Sequence, residues 1–367
     1  MVVNLRIPGP TPCPDDVLEA VGGDMMNHRG PEFAALIKRV TEGLKWVFGV
    51  SSDVLALTAS GTGGLEAAVV NTLSPGDRVL AVSIGVFGNR LASIAETYGA
   101  DVVRYEVEWG SAADVDEITR RLDADPSFKA VLVTHNETST GITNPLEAIG
   151  AVVRERPPLL IVDGVSSVSS IPCPAERWGI DVLVSGSQKG WMVPPGLAFL
   201  WLSERAWEAS KKATMPRFYL DLQRARTSLE SAQTPWTPAM SIFYGLDRAL
   251  QSLRAEGLEN VYSRHRDVAQ FTRERVRAMG LELLANDERF SSDTVTAVRW
   301  PEDVDGLAIA RLAREEFGVV LGGGQQGLRG KIFRVGHMGY FTQEDVAEAL
   351  DIVERLLVEN SAKSLPS

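Results

Sequence analysis

The chain has 367 residues, of which 44% are hydrophobic and 23% charged, and this composition is typical of a globular protein with more than one core. Its net charge of −11 argues against a general nucleic-acid-binding surface, and its two cysteines, Cys13 and Cys173, are too few for a disulfide framework. No stretch approaches the roughly 18 consecutive apolar residues of a membrane helix, and the N-terminus lacks the pattern of an export signal. We therefore expect a soluble, cytoplasmic protein.

In chain order, hydrophobic periodicity first predicts a helix at 31–48, followed by short apolar runs that alternate with helical segments. Strands are predicted at 54–58, 78–83, 102–106, 130–134, 159–163, 181–185 and 198–202. Alternation of strands and helices favours a mostly parallel, buried sheet, so the predicted fold class is α/β. Ligands of such sheets lie beyond the carboxyl ends of the strands.

The pattern changes after residue 202, where helices become longer and strands fewer. Helices are predicted at 204–212, 241–255, 258–279, 306–317 and 343–359, and strands at 294–300 and 331–335. We interpret 21–249 as a large ligand-binding domain and 250–367 as a smaller α+β domain.

One lysine and one aspartate suggest the chemistry. Asp163 closes an apolar strand, and Lys189 follows the next predicted strand in a Ser-Gln-Lys-Gly sequence. A lysine amine can form a Schiff base with the aldehyde of pyridoxal phosphate, while a carboxylate keeps the pyridine nitrogen protonated. The pair therefore points to a pyridoxal-phosphate enzyme.

A glycine-rich turn lies between a predicted strand and a helix, from Thr58 to Glu66. Its backbone amides can hold an anion at the start of the helix, although such a turn can also be purely structural. It lacks the Lys-Ser/Thr ending of a P-loop and the third glycine of a dinucleotide-binding loop, which disfavours a nicotinamide dehydrogenase.

Two further residues have both a functional and a structural interpretation. Phe87 follows a predicted strand and can offer a flat face to a planar ring, or it can be an ordinary core aromatic. Arg334 interrupts an apolar strand, where it can grip a substrate carboxylate with two hydrogen bonds or point to solvent.

Taken together, these motifs resemble the class V aminotransferases of pyridoxal-phosphate fold type I, specifically the alanine–glyoxylate and serine–glyoxylate group. The resemblance extends from the segment around Gly9 to the strand around Arg334, with motifs in the family's order. It implies a large domain with a mostly parallel seven-stranded sheet, a smaller C-terminal α+β domain and an N-terminal segment, 1–20, that lines the active site.

The resemblance also implies a role for individual residues. The cofactor phosphate is expected at Ser60, Gly61, Thr62, Gln188 and Thr237. The cofactor ring is expected to stack on Phe87, with Thr138 near its phenolic oxygen. Asp163 is expected to bind the pyridine nitrogen, and Lys189 to bind the cofactor aldehyde. Arg334 is expected to bind the substrate α-carboxylate, and Gly9 to line the substrate pocket. Because the family's counterpart of Thr237 comes from the neighbouring subunit, a homodimer is implied.

The activity implied is transfer of an amino group from a small amino acid to glyoxylate, giving glycine and a 2-keto acid. Serine is the first choice of donor and alanine the second. Aspartate or ureidoglycine as donor, and a non-catalytic protein that binds pyridoxal phosphate, are the alternatives. A cysteine desulfurase of the same fold needs a nucleophilic cysteine late in the chain, and none follows Cys173.

Overall fold

The computed structural model describes residues 3–363. Its strands and helices are, in chain order, β1 (Asn4–Arg6), α1 (Asp15–Val21), α2 (Pro31–Phe48), β2 (Leu55–Thr58), α3 (Gly61–Thr72), β3 (Arg78–Ser83), α4 (Val86–Thr97), β4 (Asp101–Glu106), α5 (Val115–Ala124), β5 (Ala130–Thr134), β6 (Asn136–Glu137), β7 (Ile142–Thr143), α6 (Leu146–Arg154), β8 (Leu159–Asp163), α7 (Ala175–Trp178), β9 (Val182–Gly186), β10 (Leu197–Leu202), α8 (Glu204–Ser210), α9 (Leu222–Glu230), α10 (Met240–Glu256), α11 (Leu258–Ala278), β11 (Val295–Arg299), α12 (Gly306–Phe317), β12 (Val319–Gly323), β13 (Ile332–Gly336) and α13 (Gln343–Lys363).

A seven-stranded sheet forms the centre of the larger part of the molecule, with strand order β2-β10-β9-β8-β5-β3-β4. Strand β10 runs antiparallel to both of its neighbours, whereas the remaining pairs are parallel. The mostly parallel α/β sheet predicted from the sequence is therefore confirmed. Its seven strands coincide with the predicted ones to within one or two residues at their ends.

Both faces of this sheet are buried, which explains why its strands appear in the sequence as unbroken apolar runs. In β8, Leu160 and Val162 belong to one hydrophobic cluster, whereas Leu159 and Ile161 belong to another on the opposite face. This alternation follows from the two-residue period of a strand.

A second, four-stranded sheet has the order β1-β12-β13-β11. Strand β1 lies parallel to β12, and β13 is antiparallel to both β12 and β11. The sequence patterns did not predict β1 or β12, because each is short and β12 ends in two glycines. The predicted domain division at residue 249 stays a prediction, and α10 runs across it.

In the described part of the chain, no helix has the length and apolar character needed to cross a membrane.

The sheet topology determines where a ligand can bind. The carboxyl ends of β5, β8 and β9 lie side by side, because these three strands are parallel neighbours. The loops that follow them therefore meet at one edge of the sheet, as expected for a ligand site.

Candidate active site

A cavity of about 220 Å³ opens at this edge of the large sheet. Most of the residues predicted from the sequence line it, namely Gly9, Gly61, Thr62, Phe87, Thr138, Asp163, Gln188 and Lys189. Ser60, Thr237 and Arg334 do not line it. Eight of the predicted site residues therefore lie around one cavity.

Lys189 lies in the turn after β9, beside the N-terminal segment of the chain. The backbone N–H of Thr11 donates to the carbonyl oxygen of Gln188 at 3.1 Å, and the Thr11 hydroxyl donates to that of Lys189 at 2.9 Å. The Lys189 amine donates to the carbonyl oxygen of Pro8. At Gly9 the φ angle is +110°, a backbone conformation that favours glycine, and the lysine side chain packs closely against this residue.

The environment of Lys189 favours its neutral amine. Burial, followed by the positive charge of Arg334, lowers the pKa of Lys189 to about 8, although Asp163 acts in the opposite direction. A lysine with this pKa is a better nucleophile and base near neutral pH than an exposed one.

Asp163 is the last residue of β8 and is 5% exposed. Its Oδ1 accepts a hydrogen bond from the backbone N–H of Val165 at 3.0 Å. Burial raises the pKa of Asp163 to about 6; Glu137 adds to this rise, while Lys189 and Arg90 oppose it. A cation placed beside this carboxylate would compensate for its burial, and a protonated pyridine is such a cation.

The start of α3 is a candidate anion site. Ser60 caps the helix, because its hydroxyl accepts a hydrogen bond from the backbone N–H of Gly63 at 3.3 Å, and the next two residues, Gly61 and Thr62, line the cavity. Across this turn, Gln188 lines the same cavity, and its side-chain NH2 group is a hydrogen-bond donor. Helix N-termini favour anions, so these groups fit the phosphate of pyridoxal phosphate.

Phe87 occupies the first turn of α4 and is half-buried on the cavity wall. The N-cap of this helix, Gly85, has no side chain to satisfy the first N–H groups. The fully buried carboxylate of Glu137 does so instead, since its Oε2 accepts from the backbone N–H groups of Phe87 and Gly88, each at 3.0 Å. Phe87 is therefore fixed from outside its own helix.

Arg334 lies on β13 in the second sheet and is 5% exposed, which excludes the solvent-pointing alternative. Its Nη1 donates to the carbonyl oxygen of Thr138 at 2.8 Å, and its Nε and Nη2 donate to that of Gly323 at 3.0 and 2.7 Å. Burial lowers the pKa of Arg334 to about 10, and Glu137 partly offsets this shift. The guanidinium is held next to the cavity wall rather than in it.

Thr237 is exposed and lies in the loop before α10. Nearby, the backbone N–H of Ala239 donates to the hydroxyl of Thr58 at 2.9 Å, which fixes the loop to the strand that leads into α3. Thr237 therefore does not line the cavity of its own chain.

Sequence reasoning missed several residues that line the cavity or support it, namely Arg90, Asn136, Glu137, Val165 and Ser166. Arg90 lies one helical turn after Phe87, so helical spacing could have identified it. Asn136 and Glu137 form the short strand β6, which begins two residues after the end of β5 and lies next to the predicted Thr138. Asn136 Nδ2 donates to the hydroxyls of Ser166 and Thr294 at 2.8 and 2.9 Å, which links the cavity to the second sheet.

The sequence model of the family described as "Aminotransferase class-V" matches residues 7–348. The chain belongs to the class V aminotransferases. This identifies it as a transaminase that uses pyridoxal 5′-phosphate as cofactor, in agreement with the candidate anion site at α3 and the buried carboxylate of Asp163. Across the described part of the chain, no group of three or more His, Cys, Asp or Glu side chains is arranged to hold a metal ion.

Relatives of the aminotransferase carry several names. It is 43% identical to a protein of a Synechococcus species named as the small subunit of a soluble hydrogenase, over 97% of this chain and 93% of that protein. It is 39% identical to a serine–glyoxylate aminotransferase of Methylorubrum extorquens, over 99% of this chain and 93% of that enzyme. The structure of an alanine–glyoxylate aminotransferase of a Nostoc species matches with a TM-score of 0.93 and 33% identity, covering 97% of this chain and 96% of that one.

Proposed function

We propose that this aminotransferase transfers the amino group of a small amino acid to glyoxylate, with serine as the first donor and alanine as the second. The products are glycine and a 2-keto acid. The observation that carries the proposal is that Lys189 and Asp163 line the same cavity, with the guanidinium of Arg334 held directly behind Thr138. The names of the relatives from Methylorubrum extorquens and Nostoc support glyoxylate as acceptor.

When bound, pyridoxal 5′-phosphate supplies an aldehyde that reacts with amines and a pyridine ring that accepts electron density from the substrate carbon. We assign Asp163 to the pyridine nitrogen, because a buried carboxylate keeps that nitrogen protonated. Phe87 is assigned to the face of the ring and Thr138 to its phenolic oxygen. Glu137 fixes the backbone of Phe87 and thereby the aromatic side chain on which the cofactor ring would rest.

The phosphate is assigned to the start of α3 and its surroundings. The set comprises Ser60, Gly61, Thr62 and Gln188 of one subunit and Thr237 of a second copy of the chain. Gln188 lines the same cavity as Gly61 and Thr62, and its side-chain NH2 group can donate to a phosphate oxygen, which supports its place in the set.

Proton transfer is assigned to Lys189. With a pKa of about 8, its amine is partly neutral near pH 7 and can accept the proton from the substrate Cα, then return it to the cofactor carbon. Three of the five N–H groups of Arg334 bond to the carbonyl oxygens of Thr138 and Gly323, and we assign the other two to the α-carboxylate of the donor, so that the bond that breaks is the one to hydrogen. Gly9 leaves room for the lysine and lines the substrate side of the cavity.

A homodimer with shared active sites is part of the proposal. Thr237 is exposed and is absent from the lining of its own cavity, which is consistent with a residue that serves the site of a neighbouring subunit. The cytoplasmic location stays a prediction from the sequence.

Other donors are the main alternative within this function. One relative is named L-aspartate–glyoxylate aminotransferase, from Paracoccus denitrificans, and one solved structure is named ureidoglycine–glyoxylate aminotransferase, from Bacillus subtilis. Both names retain glyoxylate as acceptor. The donor is therefore the part of the proposal that an experiment must decide first.

The test is a donor scan with the purified holoenzyme and glyoxylate, with glycine formation as the readout. Serine is expected to give the highest kcat/KM and alanine the second highest, and each donor alone should remove the visible absorption band of the cofactor. A higher kcat/KM for aspartate or ureidoglycine would replace the donor assignment. No glycine from any donor would overturn the proposed function.

A further inference from the structure

The side chains assigned to the phosphate site include no positive charge. A phosphate monoester carries close to two negative charges at neutral pH, whereas the side chains assigned to it, Ser60, Thr62, Gln188 and Thr237, are all neutral. The start of α3 contributes only about half a positive charge. A cation is therefore expected close to the phosphate.

Arg90 meets this requirement. Among the described residues, it and Lys189 are the only cationic side chains that line the cavity. Its Nη1 lies 3.4 Å from the hydroxyl oxygen of Thr62, the second residue of α3. The guanidinium is therefore beside the N-terminal turn that would hold the phosphate.

The guanidinium of Arg90 is also held in place without being neutralised. Its central carbon lies 4.7 Å from the centre of the Phe87 ring, a cation–π contact within the same helix turn. Within residues 3–359, no carboxylate lies within ion-pair distance of it. By contrast, Arg104, which lies beside the same helix, is paired with Glu96 at 2.9 Å.

We infer that Arg90 is the cation that binds the cofactor phosphate in this enzyme. Its positive charge compensates the negative charge of the phosphate, which neutral hydrogen-bond donors cannot do. Its contacts with Phe87 and Thr62 hold the planar guanidinium at the edge of the site. The inference rests on the proposed placement of the phosphate at the start of α3.

The experiment compares pyridoxal 5′-phosphate with pyridoxal, which lacks the phosphate. Full-length enzyme stripped of cofactor is titrated with each compound by visible absorbance, at low and at high salt. The variants are Arg90→Gln, Arg90→Lys and, as a control that removes the same charge from an exposed helix position, Arg120→Gln.

Arg90→Gln is expected to weaken binding of pyridoxal 5′-phosphate by about tenfold or more at low salt, and by less at high salt, because an exposed charge is screened. Binding of pyridoxal should change by less than about twofold. Arg90→Lys should recover part of the loss, and Arg120→Gln should behave as wild type.

Equal affinity of wild type and Arg90→Gln for pyridoxal 5′-phosphate would overturn the inference. So would an equal loss for both compounds, which would indicate a structural role, or a raised donor KM in a variant that binds the cofactor normally, which would indicate a substrate contact. A wild-type enzyme that binds the cofactor but forms no glycine defeats only the proposed donor and acceptor. Selective loss of phosphate recognition in Arg90→Gln would then still support the role of Arg90.

Discussion

The carboxylate of Glu137 accepts a hydrogen bond of 3.0 Å from the backbone N–H of Phe87. The carboxylate is fully buried, and its other oxygen accepts from the backbone N–H and the hydroxyl of Ser139, at 3.1 and 2.5 Å. Burial raises the pKa of Glu137, while these hydrogen bonds lower it. One side chain thus connects the helix that carries Phe87 with the loop that carries Thr138.

Glu137→Gln should destabilise the protein by about 1–3 kcal/mol, because its amide NH2 cannot accept the hydrogen bonds from Ser139 and leaves buried donors without partners. The measurement is urea denaturation of the cofactor-free protein. Glu208→Gln, at an exposed position, serves as the control and should change stability by less than about 0.5 kcal/mol. Equal stability of the two variants would contradict the role given to Glu137.

Asp163→Asn should stabilise the cofactor-free protein at pH 7 while abolishing transamination. The folded protein raises the pKa of Asp163 from 3.8 to about 6, so the carboxyl group opposes folding once it must ionise. The penalty is absent well below pH 4, grows between about pH 4 and pH 6, and then levels off at no more than about 3 kcal/mol.

Thermal unfolding of wild type and Asp163→Asn between pH 4 and pH 8 measures this difference. The two melting curves should coincide near pH 4 and separate as the pH rises, with the variant the more stable. Asp303→Asn, which removes a charge from an exposed position, is the control. A variant less stable than wild type at pH 7 would show that the buried charge is compensated within the chain.

Lys189→Ala should lower the rate of transamination at least about a thousandfold, since both the amine that binds the cofactor and the proposed proton carrier are lost. The fold should persist, and the variant should still bind the cofactor without the covalent bond. Single-turnover loss of the cofactor band with serine is the measurement, with Lys211→Ala as an exposed control. Undiminished transamination in Lys189→Ala would rule out the assigned mechanism.

Arg334→Lys should raise KM for the amino donor and for glyoxylate by a similar factor, about ten to a hundredfold, because both bring the same carboxylate to the guanidinium. Steady-state kinetics with each substrate varied in turn measures the effect. Arg299→Lys, an exposed position on the neighbouring strand β11, should leave both KM values unchanged. A change confined to one substrate would contradict a shared carboxylate site.

The sequence was sufficient to predict the large sheet, because strands such as β8 are apolar on both faces and end at polar residues such as Asp163. It was insufficient for β1 and β12. Each is short, and the hydrogen bonds that define the pair join segments at opposite ends of the sequence. A local sequence pattern does not predict pairing between such distant segments.

In the site, too, some residues could be predicted from local sequence and others only from the three-dimensional structure. Lys189 and Asp163 could be predicted because their chemistry is unusual at the ends of strands. Glu137 could not, since a carboxylate that replaces the missing cap of α4 differs from a surface glutamate only through its three-dimensional surroundings. The helical spacing of Arg90 from Phe87 is visible in the sequence, but its lack of a carboxylate partner among residues 3–359 depends on contacts that the sequence does not contain.

The pairing of β1 with β12 also has a consequence for biosynthesis. Strand β1 leaves the ribosome hundreds of residues before β12, the strand with which it pairs. Gly9 and Thr11, which follow β1 and hold the backbone around Lys189, therefore cannot be anchored on both sides until β12 has been made. Although the cofactor-binding edge of the large sheet is translated early, its N-terminal wall can be completed only after β12 has been translated.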